Sequence, residues 1–435
     1  MAGMSIAYGG IISFIFRGLN VFVALATVVL TSNQLGADGR GTFVLGITAV
    51  GLVSNLSGGL TASAAYQISN QKRAPGVVLI SGGSLAAGLG ALAVLAGFVA
   101  TAALRGEASH EALAVAAACA AVLINAVIAG VFLGHGALIR YNFALVVPPI
   151  LSLSAIAFGF FVLGHESPRA ALWAFALGQW LTLPILFVIG AAALARNMSL
   201  QGSLTVALAR FALVAGISSG VSYLNYRADV FVVERFEGKS GVAIYSGAVY
   251  IAESIWQFSQ SLALATYSRL GALDEKGAAD LTTRVMRHTL VILGAVCIVL
   301  FVGANVIVDT LFDKEFAGTA AALRILLPGT LLYGLAAAFS AFYTYRRGRP
   351  WAAAIVAGTG LAVDLGLDFI LIPKMGVNGA SLASTLAYGT AILGAIAVFL
   401  KDTGTSPAAV FRFGRADIDD YRDLLTRLRG ALARG

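Results

Sequence analysis

Charged residues are scarce. Asp, Glu, Lys and Arg make up 11% of the 435 residues, against about 25% in an average soluble domain. So few charges cannot cover a water-facing surface, and the 59% apolar content and mean hydropathy of +0.87 agree. An ordinary cytoplasmic enzyme and a disordered chain are both excluded. Cysteine is nearly absent: Cys119 and Cys297 lie inside apolar stretches, so there is no disulfide framework and no metal-ligand spacing. The four histidines, His110, His135, His165 and His288, fall at the ends of apolar runs and form no cluster. No nucleotide-binding loop is present either. No G-x-G-x-x-G follows a strand, and Gly238–Lys239–Ser240 has Val233 where a phosphate-binding loop needs its first glycine. No nucleophile–base pair stands out, and no metal, catalytic or organic-cofactor site is expected.

What the chain does have is apolar runs of membrane-spanning length, at about 6–31, 41–66, 76–104, 111–135, 143–164, 170–195, 208–233, 241–267, 288–311, 319–343, 351–373 and 376–400. Each is continuous, about twenty residues long and rich in Ala, Leu and Val, as a spanning helix requires and a ten-residue alternating barrel strand does not. The expectation is an all-α membrane protein with twelve transmembrane helices. The first run has no Lys or Arg before it, which makes a poor signal peptide and a reasonable permanent span.

Lys and Arg counts set the orientation. With the N-terminus inside, the inner connections and the tail hold 19 of the 29, from Lys72 and Arg73 through Arg346, Arg347 and Arg349 to Arg434. The outer connections hold seven: Arg40, Arg105, Arg169, Arg235, Lys239, Lys314 and Lys374. This asymmetry puts both termini in the cytoplasm. The formal net charge of +8 thus marks inner loops and implies no nucleic-acid partner.

Two stretches look duplicated. GTFVLGITAVGL from Gly41 lies against GVAIYSGAVYIA from Gly241, and GALIRYNFA from Gly136 against GRPWAAAIV from Gly348. Two six-helix lobes follow, residues 1–200 and 201–400, with a cytoplasmic tail at 401–435. Internal repeats are common in transporters, with the substrate site between them. The tail runs from acids to arginines, with Tyr421, Leu424, Leu425, Leu428 and Leu432 at helical spacing. That pattern suits a helix lying on the inner membrane surface, or one docking a partner.

Four segments carry a family resemblance: LGADGRGTFVLGITAVGLVSNLSGGL, YRADVFVVERFEGKSGVAIYSGAVYIAES, LFDKEFAGTAAALRILLPG and LDFILIPKMGVNGASLASTLAYG. The chain resembles the Wzx-like oligosaccharide flippases of bacterial polysaccharide biosynthesis over most of residues 10–400. These belong to the multidrug/oligosaccharidyl-lipid/polysaccharide exporter superfamily. The resemblance implies twelve spans in two lobes in the bacterial inner membrane. It also implies translocation of a polyprenyl-pyrophosphate-linked oligosaccharide, with membrane lipid, a polysaccharide polymerase and glycosyltransferases as partners. The family commonly has Gly after the LF of the ninth-span end and Asn in the eleventh span. Here stand Asp313, Asp364 and Asp368, extra carboxylates that bear on ion coupling.

Seven charges fall inside spans: Arg17, Arg227, Asp229, Glu253, Arg324, Asp364 and Asp368. Each costs about 2.5–3.5 kcal/mol at mid-membrane on insertion scales, so such residues face a bundle interior and usually act. Arg17, near the middle of the first run and followed by Asn20, is a candidate to grip pyrophosphate or an acidic sugar. Its guanidinium fork offers several donors at once. Snorkelling or a carboxylate partner is the alternative. Arg227 and Asp229, at i and i+2, share no helix face and each needs another partner. Glu253 is either a protonatable switch or one half of an ion pair with Arg17 or Arg227. Asp364 and Asp368, at i and i+4, share a face and repel unless a proton or cation sits with them. H⁺ or Na⁺ coupling follows unless arginines hold them. Arg324 lies near the outer end of the tenth run, where it contacts substrate or lipid phosphate, or simply marks the boundary.

Substrate binding is thus assigned to Arg17, Asn20, Arg227 and Arg324, and coupling or gating to Asp229, Glu253, Asp364 and Asp368. The competing reading keeps the fold and changes the cargo: a cation-coupled antiporter of organic cations. A polymerase or ligase would need a larger outer loop, and a scaffold would not need costly mid-membrane charges.

Overall fold

The computed structural model describes residues 6–103, 107–194, 197–349, 351–412, 414 and 417. Among these residues the regular structure is helical throughout. In hydrocarbon a helix satisfies its own backbone donors and acceptors, which an open strand cannot. The helices are α1 (Ile6–Ser69), α2 (Pro75–Ala103), α3 (Glu107–Gly134), α4 (Leu138–Phe161) and α5 (Pro168–Leu194). There follow α6 (Gly202–Ser254), α7 (Trp256–Ala272), α8 (Glu275–Leu311), α9 (Gly318–Tyr333) and α10 (Ala336–Ala341). The last are α11 (Trp351–Met375), α12 (Val377–Thr403) and the short α13 (Pro407–Phe411). Ten helical stretches of the described residues are long and apolar enough to cross a membrane. The chain is a multi-pass membrane protein.

Two of the ten are far too long for one crossing: 55 residues over Ile15–Ser69 and 62 over Gly202–Ala263. Each is a pair of helical segments joined at a kink, at Gly36 (φ 63, ψ 179) in α1 and Gly238 (φ 67, ψ −168) in α6. Only glycine adopts this backbone without strain. The polar stretches around residues 32–40 and 234–240, expected to be turns between apolar runs, are therefore helical on both sides of one kinked glycine. The run expected over 241–267 is interrupted near Ile255, where α6 passes into α7. The run expected over 319–343 breaks after Tyr333 and ends in a π-helical turn at Phe342–Arg346.

The second segment of α1 packs antiparallel on α6 over its whole length. Asp38 accepts from Ser240 Oγ at 2.6 Å, Tyr223 donates to the Thr48 carbonyl at 3.0 Å, and Ser63 donates to the Leu208 carbonyl at 3.2 Å. Glycine makes the approach possible. A Cβ on Gly41 would stand 1.9 Å from the Lys239 carbonyl oxygen, and one on Gly59 2.1 Å from that of Ala212. Small residues at a helix seam let backbones touch where no hydrophobic effect drives association. On either side of this seam the buried apolar residues sort by position in the chain. Some clusters are built from residues up to Ala212. The others are built from residues beyond Tyr226, with Val28, Ala37 and Val44 of α1 reaching across.

The described residues after α12 are anchored to α8 through Ala409 and Asp417. Asp417, 1% exposed, receives Arg287 Nε and Nη2 at 2.9 Å each and the Gly414 amide at 2.8 Å. Arg287 Nη1 also donates to the Ala409 carbonyl, and Val410 is fully buried. Nearby, Arg347 joins Glu275 at 2.6 Å to Asp402 at 2.6 Å. The tail residues expected to form an amphipathic helix, Tyr421 to Leu432, lie outside the described residues.

Burial works to raise the Asp417 carboxyl, but the Arg287 hydrogen bonds and the Gly414 amide hold it below its ordinary value. A depressed folded value means that the contribution is present above the ordinary aspartate value of about 3.9 and lost as pH falls through the lowered one. The Arg287–Asp417 contribution to tail docking is therefore complete above about pH 4. Protease cutting near residue 412 should rise only below about pH 4, and at neutral pH in Asp417→Asn. For the seam, Gly41→Ala should lower thermal stability in detergent by about 1–3 kcal/mol, the range for overpacking; an unchanged melt would show that the backbones part freely there.

Candidate functional site

Three buried carboxylates, Asp229, Asp364 and Asp368, stand within electrostatic reach near mid-depth. Asp229 lies nine residues before Gly238, Asp368 and Asp364 lie eight and twelve before Gly376, and Ser384 lies eight after it. At about 1.5 Å per residue these are roughly 12–18 Å from the turns, the middle of a hydrocarbon core about 30 Å thick. Asp229, Asp364 and Asp368 are 3%, 3% and 0% exposed. Each of α11's two acids feels the charge of Asp229, and Asp364 also that of Asp368.

Hydroxyls supply most of the contacts made. Tyr245 donates to Asp229 Oδ2 at 2.5 Å and lies 2.9 Å from Ser384 Oγ, while Asp229 Oδ1 accepts the Val230 amide at 2.8 Å. Ser384 also hydrogen-bonds Asp364. Asp364 Oδ1, both Asp368 carboxylate oxygens and Ser381 Oγ are buried with no partner among the described residues. No arginine among the described residues pairs with either acid of α11. Buried carboxylates left this way keep a proton or share a cation, because the bare charge is far more costly than the neutral form. No three His, Cys, Asp or Glu side chains among the described residues are grouped to hold one metal ion. A cation held here would therefore take at most two carboxylates, completing its shell from hydroxyl and backbone oxygens.

The neighbouring pair behaves differently. Arg227 Nη2 meets Glu253 Oε2 at 2.8 Å, both side chains about 15% exposed or less. Arg227 also donates to the Tyr226 carbonyl and covers the Tyr250 ring at 5.2 Å. Arg227 is thus committed to Glu253, the ion-pair alternative of the two stated for Glu253, and is no free cation for a phosphate. Behind it Tyr226, Trp256, Tyr333 and Tyr388 pack ring on ring, with Tyr333 and Tyr388 centroids 4.7 Å apart.

The remaining assigned residues lie elsewhere. Arg17 is 19 residues before Gly36, roughly 28 Å along the helix, so it lies toward the far end of the first segment and not at mid-membrane. Phe16 packs on Phe143 at 5.4 Å, and the Arg17 charge reaches Tyr141 in the first turn of α4. Its side chain is exposed and makes no hydrogen bond or ion pair among the described residues. Tyr141 lines a cavity of about 370 Å³ with Ser54, Ser57, Thr61 and Asn125; Asn125 Oδ1 is buried without a partner, as is Asn20 Oδ1. Arg324 is not brought to either place. It donates to the Phe301 carbonyl at 3.0 Å and lies 5.9 Å from that ring, which is half exposed on the outside of the bundle.

Sequence reasoning missed Tyr245, Ser381 and Ser384. The signal available was the i, i+3 serine pair on α12. It also misread Arg40, counted as an outer-loop charge; the residue is 1% exposed.

No protein-family model matches the chain, and no curated protein matches it. Solved structures do. The lipid II flippase MurJ, in an inward closed conformation, has a TM-score of 0.74 at 15% identity, covering 93% of this chain and 88% of that one. A MATE-family multidrug resistance transporter of the MOP superfamily matches in its inward-facing conformation with a TM-score of 0.71 at 17% identity, covering 93% and 96%. An outward-facing MATE-family structure reaches 0.65 at 18%, covering 91% and 94%. At these identities the likeness establishes the fold: this chain has the fold of MOP-superfamily transporters.

Two substitutions should move stability in opposite directions. Asp368→Asn removes one of the repelling acids and should raise the melting temperature in detergent. Glu253→Gln strands Arg227 and should cost about 3–5 kcal/mol, the range for breaking a buried pair. Equal shifts in the same direction would contradict the distinction between an uncompensated cluster and a compensated pair.

Proposed function

We propose that this protein is a cation-coupled flippase that moves a polyprenyl-pyrophosphate-linked oligosaccharide from the inner to the outer leaflet of the bacterial inner membrane by alternating access. The carrying observation is the separation of charges. Arg17, a guanidinium with no partner among the described residues, acts on Tyr141 at a largely apolar cavity that also presents Ser54, Ser57, Thr61 and Asn125 in the N-terminal half, and uncompensated carboxylates are buried in the C-terminal half. An anionic cargo and a coupling cation therefore have different places to bind. The kinked α1 and α6 are read as two crossings each, giving twelve, with both ends cytoplasmic. The division of buried clusters along the chain supports two six-helix lobes, at 1–200 and 201–400.

In this reading the pyrophosphate is gripped by Arg17, with Asn20 at the same segment, and the Ser54, Ser57, Thr61 and Tyr141 hydroxyls of the cavity accept sugar. The lipid tail stays in the bilayer. Asp229, Asp364 and Asp368 take up H⁺ or Na⁺ in one state and release it in the other. Binding the cation changes the charge that the C-terminal half must bury, and so shifts the balance between states. A polymerase and glycosyltransferases would act on either side of the transport step.

Three mid-membrane acids favour a second cargo, an organic cation exchanged against the coupling ion. The two readings separate in proteoliposomes and in cells. Arg17→Ala should reduce flipping of a fluorescent polyprenyl-pyrophosphate oligosaccharide at least tenfold at normal protein levels, and Asp364→Asn should remove its response to an imposed Na⁺ or pH gradient. Unchanged flipping in Arg17→Ala, or protection of cells from toxic organic cations, would favour the second cargo.

A further inference from the structure

Arg40 is the most deeply buried basic side chain among the described residues, at 1% exposed. It sits four residues past the Gly36 kink, roughly 6 Å from the turn. Its Nη1 donates to Thr31 Oγ1, whose own proton goes to the Thr27 carbonyl at 2.6 Å. Its Nε and Nη2 are buried with no partner among the described residues. Among the described residues the ionisable group that acts on it is the Tyr250 phenol, not a carboxylate. A residue that merely marks the outer side of the membrane faces water, and this one does not. A guanidinium that only filled space would be replaced at no loss by an apolar chain, because burying it with donors unmet costs several kcal/mol.

The position gives the unmet donors a use. Arg40 is next to Gly41, whose Cα is pressed against the Lys239 carbonyl oxygen, and two residues from Asp38, bonded to Ser240. These contacts form the kinked end of the seam between α1 and α6. Parting the seam there would uncover the guanidinium, while Arg17 stands roughly 28 Å from the same kink, toward the opposite end of the first segment. We infer that Arg40 is a second anion-binding residue, closed within the seam in this conformation. It takes up the phosphate groups of the cargo when the two sides separate between Gly41 and Lys239. The inference rests on the anionic cargo proposed above and adds a second station on its path.

The test uses the purified full-length chain in nanodiscs, with farnesyl pyrophosphate and inorganic pyrophosphate as probes and titration calorimetry as readout. Arg40→Gln should weaken binding of the probes at least tenfold while Arg40→Lys loses less. Lys401→Gln, whose side chain is exposed in the last turn of α12, should bind as the unmodified chain does. Asp38→Cys combined with Ser240→Cys should hold the seam shut when oxidised, weaken binding as Arg40→Gln does, and recover on reduction. Thermal melts of each variant report folding separately. Binding lost in Arg17→Ala but intact in both Arg40→Gln and the oxidised double variant overturns this inference alone. An unmodified chain that binds neither probe overturns it together with the anionic cargo.

Discussion

Hydrocarbon tolerates a charge only when something answers it, and that constraint organises this protein. Arg227 and Glu253 answer one another at 2.8 Å. Asp229 is answered by the Tyr245 hydroxyl and the Val230 amide. Asp364 and Asp368 are answered only in part, by Ser384 on one side, and the oxygens left over are where a mobile ion has something to do. The seam, the serine face of α12 and the packed tyrosines exist around this layer. They hold polar groups at a depth where each would otherwise be expelled or neutralised.

The resulting division of labour is physical before it is functional. A fully paired charge is a fixed structural element: its energy changes little between states, so it cannot report on an ion or a cargo. A charge with unmet partners has an energy that depends on what binds it, and only such a charge can bias one conformation over another. Arg17, Arg40 and the acids of α11 are of the second kind; Arg227, Glu253, Arg287 and Asp417 are of the first.

Much of this was legible in the sequence, because hydropathy and the i, i+4 spacing of Asp364 and Asp368 depend only on helical geometry. The apolar runs became helices, and the two acids share a buried face as their spacing requires. The partner of Glu253 was narrowed to two arginines, since Asp229 and Arg227 could not pair at i, i+2. Depth was less legible. Arg17 was placed by counting from the start of an apolar run, but the helix extends to Gly36, which moves the residue toward the other end. Arg40 was unreadable for a different reason. Its flanking residues, GADGRG, look like any polar turn, and nothing local says that a neighbouring helix 200 residues later closes over it. Tyr245 and Ser384 were hidden in the same way, because a hydroxyl in a membrane helix is common and its partner is set by tertiary packing.

The helix-to-helix joint at Gly36 has a consequence for how this chain can vary. Ordinary connecting loops absorb added or lost residues by changing shape. Here helix runs up to the glycine on both sides, so there is no slack to absorb them. One residue inserted just after Gly36 would rotate the following segment by about 100° about its axis. Arg40 would be carried into the place of Gly41, where the Lys239 carbonyl leaves no room for a Cβ, and Gly39 would take the place of the buried guanidinium. The turn should therefore be among the least length-tolerant positions in the molecule, although it looks like a loop and lies at a chain reversal, where length variation is normally cheapest.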